Sequence, residues 1–137
     1  EYIINNIELR EAYSLMQNDI KQFFKEESIS EYEIKHFNRI INNDISILEE
    51  SDISSDGYVI NTLEASFWCL LTTNSYLESV FKAINLGEDT DTTATVVGGI
   101  AGMVYGLDDV PKDWIDALAR KNDILKLTLE FADVYVP

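Results

Sequence analysis

Apolar residues recur along this chain at the three- and four-residue spacing of helices. Leu63, Phe67, Leu70 and Leu71 form one such stripe, and Leu77, Val80, Phe81 and Ile84 form the next. Both stripes are expected to face a core. Four polar pairs have the spacing of a cap residue and the carboxylate three positions later: Asn5 with Glu8, Ser30 with Glu33, Asn61 with Glu64, and Ser75 with Glu78. They predict helix starts near residues 6, 31, 62 and 76. Between Asp44 and Tyr58 a run rich in Ser, Asp and Glu, ending in Gly57, reads as the longest irregular stretch. Pro111 suits the first turn of a helix running to about Arg120, and Ile124 to Phe131 continues as a last one. No alternating pattern is long enough to build a sheet. The chain therefore reads as all-α, a compact multi-helix bundle in a single domain over 1–137.

Gly98, Gly102 and Gly106 stand four apart, on one face of one helix. Each interior glycine costs on the order of 1 kcal/mol against alanine. A helix that accepts this repeatedly is expected to have its backbone approached closely by another element, with Gly106 ending it.

Composition narrows the classes. The 137 residues suit one modest domain, and 46% hydrophobic residues are enough for a core. No apolar run approaches the roughly 18 residues of a membrane span, and no secretory signal pattern is present, so a cytoplasmic location is expected. The single cysteine, Cys69, lies in the apolar run Phe67 to Leu71 and reads as a buried packing thiol. Ten basic against 25 acidic residues give a net charge of −15, which repels nucleic-acid backbones and favours divalent cations.

The segment Gly87-Glu88-Asp89-Thr90-Asp91-Thr92 precedes the glycine-rich helix. Its carboxylates and hydroxyls are hard oxygen donors, suited to Mg²⁺ or Ca²⁺ and unsuited to zinc. Asp and Thr are also preferred helix caps, so a purely capping role stands beside the metal reading. Asp89 and Asp91, two apart where the chain is not yet helical, can turn toward one point beside the Thr92 hydroxyl. An EF-hand is excluded, because a loop counted from Asp89 has Ala94 where glycine is required and Ile100 where a bidentate Glu is required. His36 has no ligand-spaced partner, and Trp68 and Trp114 read as core anchors. Glu64 reads as a capping carboxylate, with a partner behind the metal ligands as the other reading.

Three motifs resemble the ADP-ribosylglycohydrolase family, the group that includes dinitrogenase reductase activating glycohydrolase. The family pattern Gly-x-Asp-Thr-Asp-Thr with a Gly-rich helix appears at Gly87 to Thr92. Ser-x-Gly-Tyr-Val-x-x-Thr-Leu-Glu-Ala appears from Ser55 to Ala65, and Ile-Pro-x-x-Trp appears as Val110-Pro111-Lys112-Asp113-Trp114. The similarity is strong from Asp56 to about Asp123 and fades toward the start of the chain. It implies removal of ADP-ribose from modified proteins or small molecules. It further implies two Mg²⁺ ions in a complete enzyme, ligand roles for Asp89, Asp91 and Thr92, and an ADP-ribose pocket lined by Gly57 and Tyr58. A core position after a turn is the other reading of Tyr58.

The family's N-terminal Thr-Asp-Asp cluster has no counterpart here. The one adjacent Asp pair, Asp108-Asp109, reads as a turn and helix start. The chain also begins with Glu1. The expectation is therefore the C-terminal part of a longer enzyme, inactive alone, whose acid or base residues lie outside it. Such a part should pair with its own N-terminal half or self-associate through an exposed apolar surface. The alternative is a non-catalytic helical module that binds a metal or a partner and keeps the motif as a relic. The cleaved linkage stays open between arginine, serine, another side chain and a small molecule.

Overall fold

A computed structural model describes residues 1–135 of the chain. Among the described residues eight α-helices follow one another: α1 (Leu9–Glu26), α2 (Glu31–Ile34), α3 (Asn38–Asn42), α4 (Val59–Leu71), α5 (Tyr76–Asn85), α6 (Thr90–Tyr105), α7 (Lys112–Ala117) and α8 (Lys121–Tyr135). Short 3₁₀ turns interrupt the connections, two of them, Ile45–Ile47 and Glu50–Asp52, inside the stretch expected to be irregular. Among the described residues there is no strand, so the all-α expectation holds. Among the described residues no helix is long and apolar enough to cross a membrane.

The centre is α4, which buries Ala65, Trp68, Cys69, Leu70 and Leu71. Helix α6 packs against both α4 and α5. Tyr13 of α1 reaches α3, donating its hydroxyl to the Ile40 carbonyl at 2.6 Å. Trp68 is buried as expected, its indole N–H donating to the Leu48 carbonyl at 3.0 Å. Trp114 is half-buried and stands edge-on to Phe81, ring centroids 5.4 Å apart. Cys69 is fully enclosed, and burial pushes its thiol up to about 12, which leaves it an inert packing group.

Two of the four expected helix starts are confirmed. Ser30 accepts the Glu33 N–H at the head of α2. Ser75 accepts the Glu78 N–H, while the Glu78 carboxylate accepts the N–H of Asn74. The other two are corrected. Helix α1 starts at Leu9 and not near residue 6, because Glu8 itself caps it, accepting the N–H groups of Arg10 and Glu11. Helix α4 starts at Val59, three residues before the expected position. There the Asp56 carboxylate accepts the Tyr58 N–H and the Asn61 side-chain amide, both at 3.0 Å, so Asn61 is a donor within the first turn. Glu64 is not a cap: it is buried and paired with Arg39 at 2.9 Å.

The glycine face behaves as a contact surface. A Cβ on Gly98 would stand 3.3 Å from the Tyr76 hydroxyl, and one on Gly102 would stand 4.0 Å from the same ring, whereas Gly99 faces open space. Gly106 ends α6 at φ 79°, a conformation natural to glycine. This close packing changes which side of α5 is inside. The helix buries Ser79, Val80 and Ala83, while Leu77, Phe81 and Ile84 of the expected core stripe are 38 to 46% exposed. Small residues meet a small-residue helix, and the bulkier stripe is turned outward. The last two helices also depart from expectation: α7 stops at Ala117, well before Arg120, and α8 begins at Lys121 and continues to Tyr135.

Candidate metal centre

The Asp-rich motif forms a turn in front of α6. Gly87 and Glu88 have φ of 84° and 56°, two left-handed residues in succession, and Asp89 follows at the N-cap position. This turn is laced to the loop before α4. The Asp89 N–H donates to the Ser55 carbonyl at 2.9 Å, and the Ser55 hydroxyl donates to the Gly87 carbonyl at 2.9 Å. Gly57 completes the contact: at φ 81° its backbone lies so close that an added Cβ would fall 2.6 Å from Asp89 Oδ2. Two motifs separated by 32 residues thus meet as one surface.

Asp89 occupies the cap position, yet its side chain makes no capping hydrogen bond. Its carboxyl is held below the usual carboxylate range, first by the Thr92 hydroxyl and then by the Asp91 side chain while that is protonated. Asp89 is half-buried, whereas Asp91 and Thr92 are exposed. The structure therefore brings Asp89 together with Thr92, Asp91 and Gly57. Tyr58 follows Gly57 at the start of α4 and is 51% exposed, so it is not a core residue. Cavities of about 440, 400 and 210 Å³ lie elsewhere, and none is lined by Gly57, Tyr58, Asp89, Asp91 or Thr92.

The donor set suits a hard cation: oxygens only, with the Asp89 carboxyl favoured in its charged form. Three such donors are about half of the octahedral set that Mg²⁺ requires. Among the described residues, no three His, Cys, Asp or Glu side chains gather at one point. The positive end of the α6 dipole opposes a bare cation, so the carboxylates carry the electrostatic case alone.

Around this centre, other polar residues do structural work. Asp109 Oδ2 accepts the Tyr76 N–H at 2.7 Å, capping α5 from a distant turn, in line with the turn reading of Asp108-Asp109. Burial raises the Glu64 carboxyl, and Arg39 pulls it the other way. His36 stands exposed against the edge of Tyr32. Two buried hydroxyls, Thr62 and Thr93, lack a protein partner in the first turns of α4 and α6. The part played by Ser55 and Asp56 was not assigned from spacing. The short Ser55-x-Gly57 pattern was the only signal, and its partner is a backbone carbonyl far along the chain.

A helical frame carrying this motif pair defines a class that comparison with known proteins identifies. The sequence model of the ADP-ribosylglycohydrolase family matches residues 2–136. The chain belongs to the ADP-ribosylglycohydrolase family. It is 40% identical over 79 residues to ADP-ribosylarginine hydrolase Tri1 of Serratia proteamaculans, covering 58% of this chain and 22% of that protein. It is 31% identical over 67 residues to ADP-ribosyl-[dinitrogen reductase] glycohydrolase of Rhodospirillum rubrum, covering 49% and 23%. Mouse ADP-ribosylhydrolase ARH3 is 28% identical over 144 residues, covering 94% of this chain and 39% of the relative. The matches thus span well under half the length of each relative. The family match also takes in the residues before Phe37, where no motif was legible.

Proposed function

We propose that this chain contributes the Asp89, Asp91 and Thr92 ligands of a Mg²⁺ site in an enzyme that removes ADP-ribose from modified proteins or small molecules. The observation that carries the reading is the contact between the two family motifs: Gly57, directly before Tyr58, lies against the Asp89 carboxylate. A ligand held on Gly57 and Tyr58 would therefore sit beside the oxygens that hold the ion. Bound there, Mg²⁺ would orient ribose hydroxyls and supply an activated water. Asp89 keeps its charge, Thr92 and Asp91 complete the oxygen cluster, and Tyr58 offers an exposed ring to a sugar or base. The acidic surface leaves the pyrophosphate to metal and backbone N–H contacts.

Catalysis in this reading needs further donors, because three oxygens are about half a shell. Helix α8 supports a partner surface: Leu127, Phe131, Val134 and Tyr135 fall on one side of the helix and are each more than 60% exposed. That face would meet the enzyme's N-terminal half or, in the isolated chain, a second copy.

Calorimetry tests the reading. Mg²⁺ should bind the wild-type chain and enable binding of ADP-ribose, and both should be lost in Asp91→Asn. The isolated chain should not release ADP-ribose from ADP-ribosylated arginine or serine peptides. EDTA-sensitive turnover by it would overturn the incomplete-site reading, and unaltered Mg²⁺ binding in Asp89→Asn and Asp91→Asn would leave the motif as a capping element in a non-catalytic module.

A further inference from the structure

Ser55 does not belong to the proposed ligand set, and nothing in its chemistry would draw a hard cation to it over a carboxylate. It is nevertheless one of the few polar residues withdrawn from solvent, 2% exposed, in a loop whose neighbours Asp56, Gly57 and Tyr58 are all exposed. Both of its polar ends are used on one target. Its hydroxyl donates to the Gly87 carbonyl, and its carbonyl accepts the Asp89 N–H, each at 2.9 Å. These two bonds bracket Glu88, whose φ of 56° is a conformation that residues with a side chain avoid unless neighbouring contacts hold them in it. Asp89 has no cap hydrogen bond of its own to fix its side chain. Its backbone is fixed through Ser55, and its carboxylate lies where a Cβ on Gly57 would meet it at 2.6 Å.

We infer that Ser55 is a positioning residue for the Asp89 carboxylate, holding the turn 87–89 so that Asp89 presents its oxygens beside Asp91 and Thr92. This inference rests on the metal reading of those three residues, and Ser55 acts through Asp89 without touching the ion. Residues that orient metal ligands in this way commonly change affinity about tenfold or more when removed. Loss of the hydroxyl in Ser55→Ala releases the Gly87 carbonyl, and the turn can then relax into conformations that carry Asp89 away from Thr92.

Mn²⁺, a paramagnetic stand-in for Mg²⁺, provides the test through line broadening of the amides from Asp89 to Thr93 in the full 137-residue chain. Wild type should show saturable broadening, Asp91→Asn none, and Ser55→Ala the same pattern at about tenfold higher Mn²⁺ concentration. A merely structural serine would lower the melting temperature and leave the affinity of the folded chain unchanged; that result overturns the inference while the metal reading stands. Absence of broadening in wild type overturns the metal reading and the inference together. Should Ser55→Ala not fold, amide exchange in wild type decides: Asp89 N–H should be protected, and exchange at the rate of an unstructured chain overturns the inference.

Discussion

Helices α6 and α8 have 16 and 15 residues and comparable apolar content, yet their surroundings are opposite. The first buries Thr93, Val97 and Ala101 between α4 and α5. The second buries nothing, and Leu127, Leu129 and Phe131 stand 61 to 67% exposed. The number of apolar residues therefore does not predict burial here. Two things separate the helices: α8 carries five charged residues against one in α6, and α6 offers a glycine face onto which Tyr76 and Val80 can close, while α8 offers bulky side chains that none of the described helices is placed to receive. A glycine face is informative because it specifies a neighbour, and a leucine face only demands one.

The largest expected effect separates core from uncovered helix. Trp68→Ala should cost about 3–5 kcal/mol by removing an enclosed indole, whereas Leu129→Ala should stay within about 0.5 kcal/mol. Urea denaturation of both variants checks this, and a comparable loss at Leu129 would break the contrast by showing that α8 is covered in solution. Next in size is association. Replacing both Leu127 and Phe131 by Lys should turn any self-associated wild-type chain into a monomer in light scattering, with the melting temperature little changed.

A smaller effect sharpens the account of α6. Gly98→Leu should destabilise by about 1–3 kcal/mol, because its side chain would run into Tyr76. Gly99→Ala, facing open space, should stabilise by up to about 1 kcal/mol through helix propensity alone. Equal effects at the two neighbouring positions, in thermal melts, would remove close packing as the reason for the glycines.

The smallest effect concerns pH. Burial raises the Glu64 carboxyl above its ordinary value of 4.5, with Arg39 opposing. A raised carboxyl favours the folded state while it is protonated, so its contribution is present below 4.5 and lost as pH climbs through the raised value. The lowered carboxyls of Asp44, Asp56 and Asp89 act in the opposite sense, their contribution lost on acidification. Glu64→Gln should therefore flatten the decline of stability just above pH 4.5 and leave the acid side intact. An unchanged profile would show that the Arg39 pair fully offsets burial.

Local patterns determined a good part of this molecule. Ser30 and Ser75 cap helices because a hydroxyl three residues from an N–H needs no distant help. Gly98 and Gly102 announced a close neighbour because only contact explains their cost. Tertiary structure decided everything that depended on a partner far along the chain. Glu64 looked like a cap until Arg39, 25 residues earlier, took its carboxylate. The stripe Leu77, Phe81 and Ile84 looked like core until α6 presented a surface that only small residues could meet. Ser55 acquired its place from Gly87 and Asp89, through backbone atoms that carry no sequence signal. Spacing encodes contacts within one helical turn; contacts between turns are settled by shape, burial and backbone hydrogen bonds, which exist only once the helices have packed.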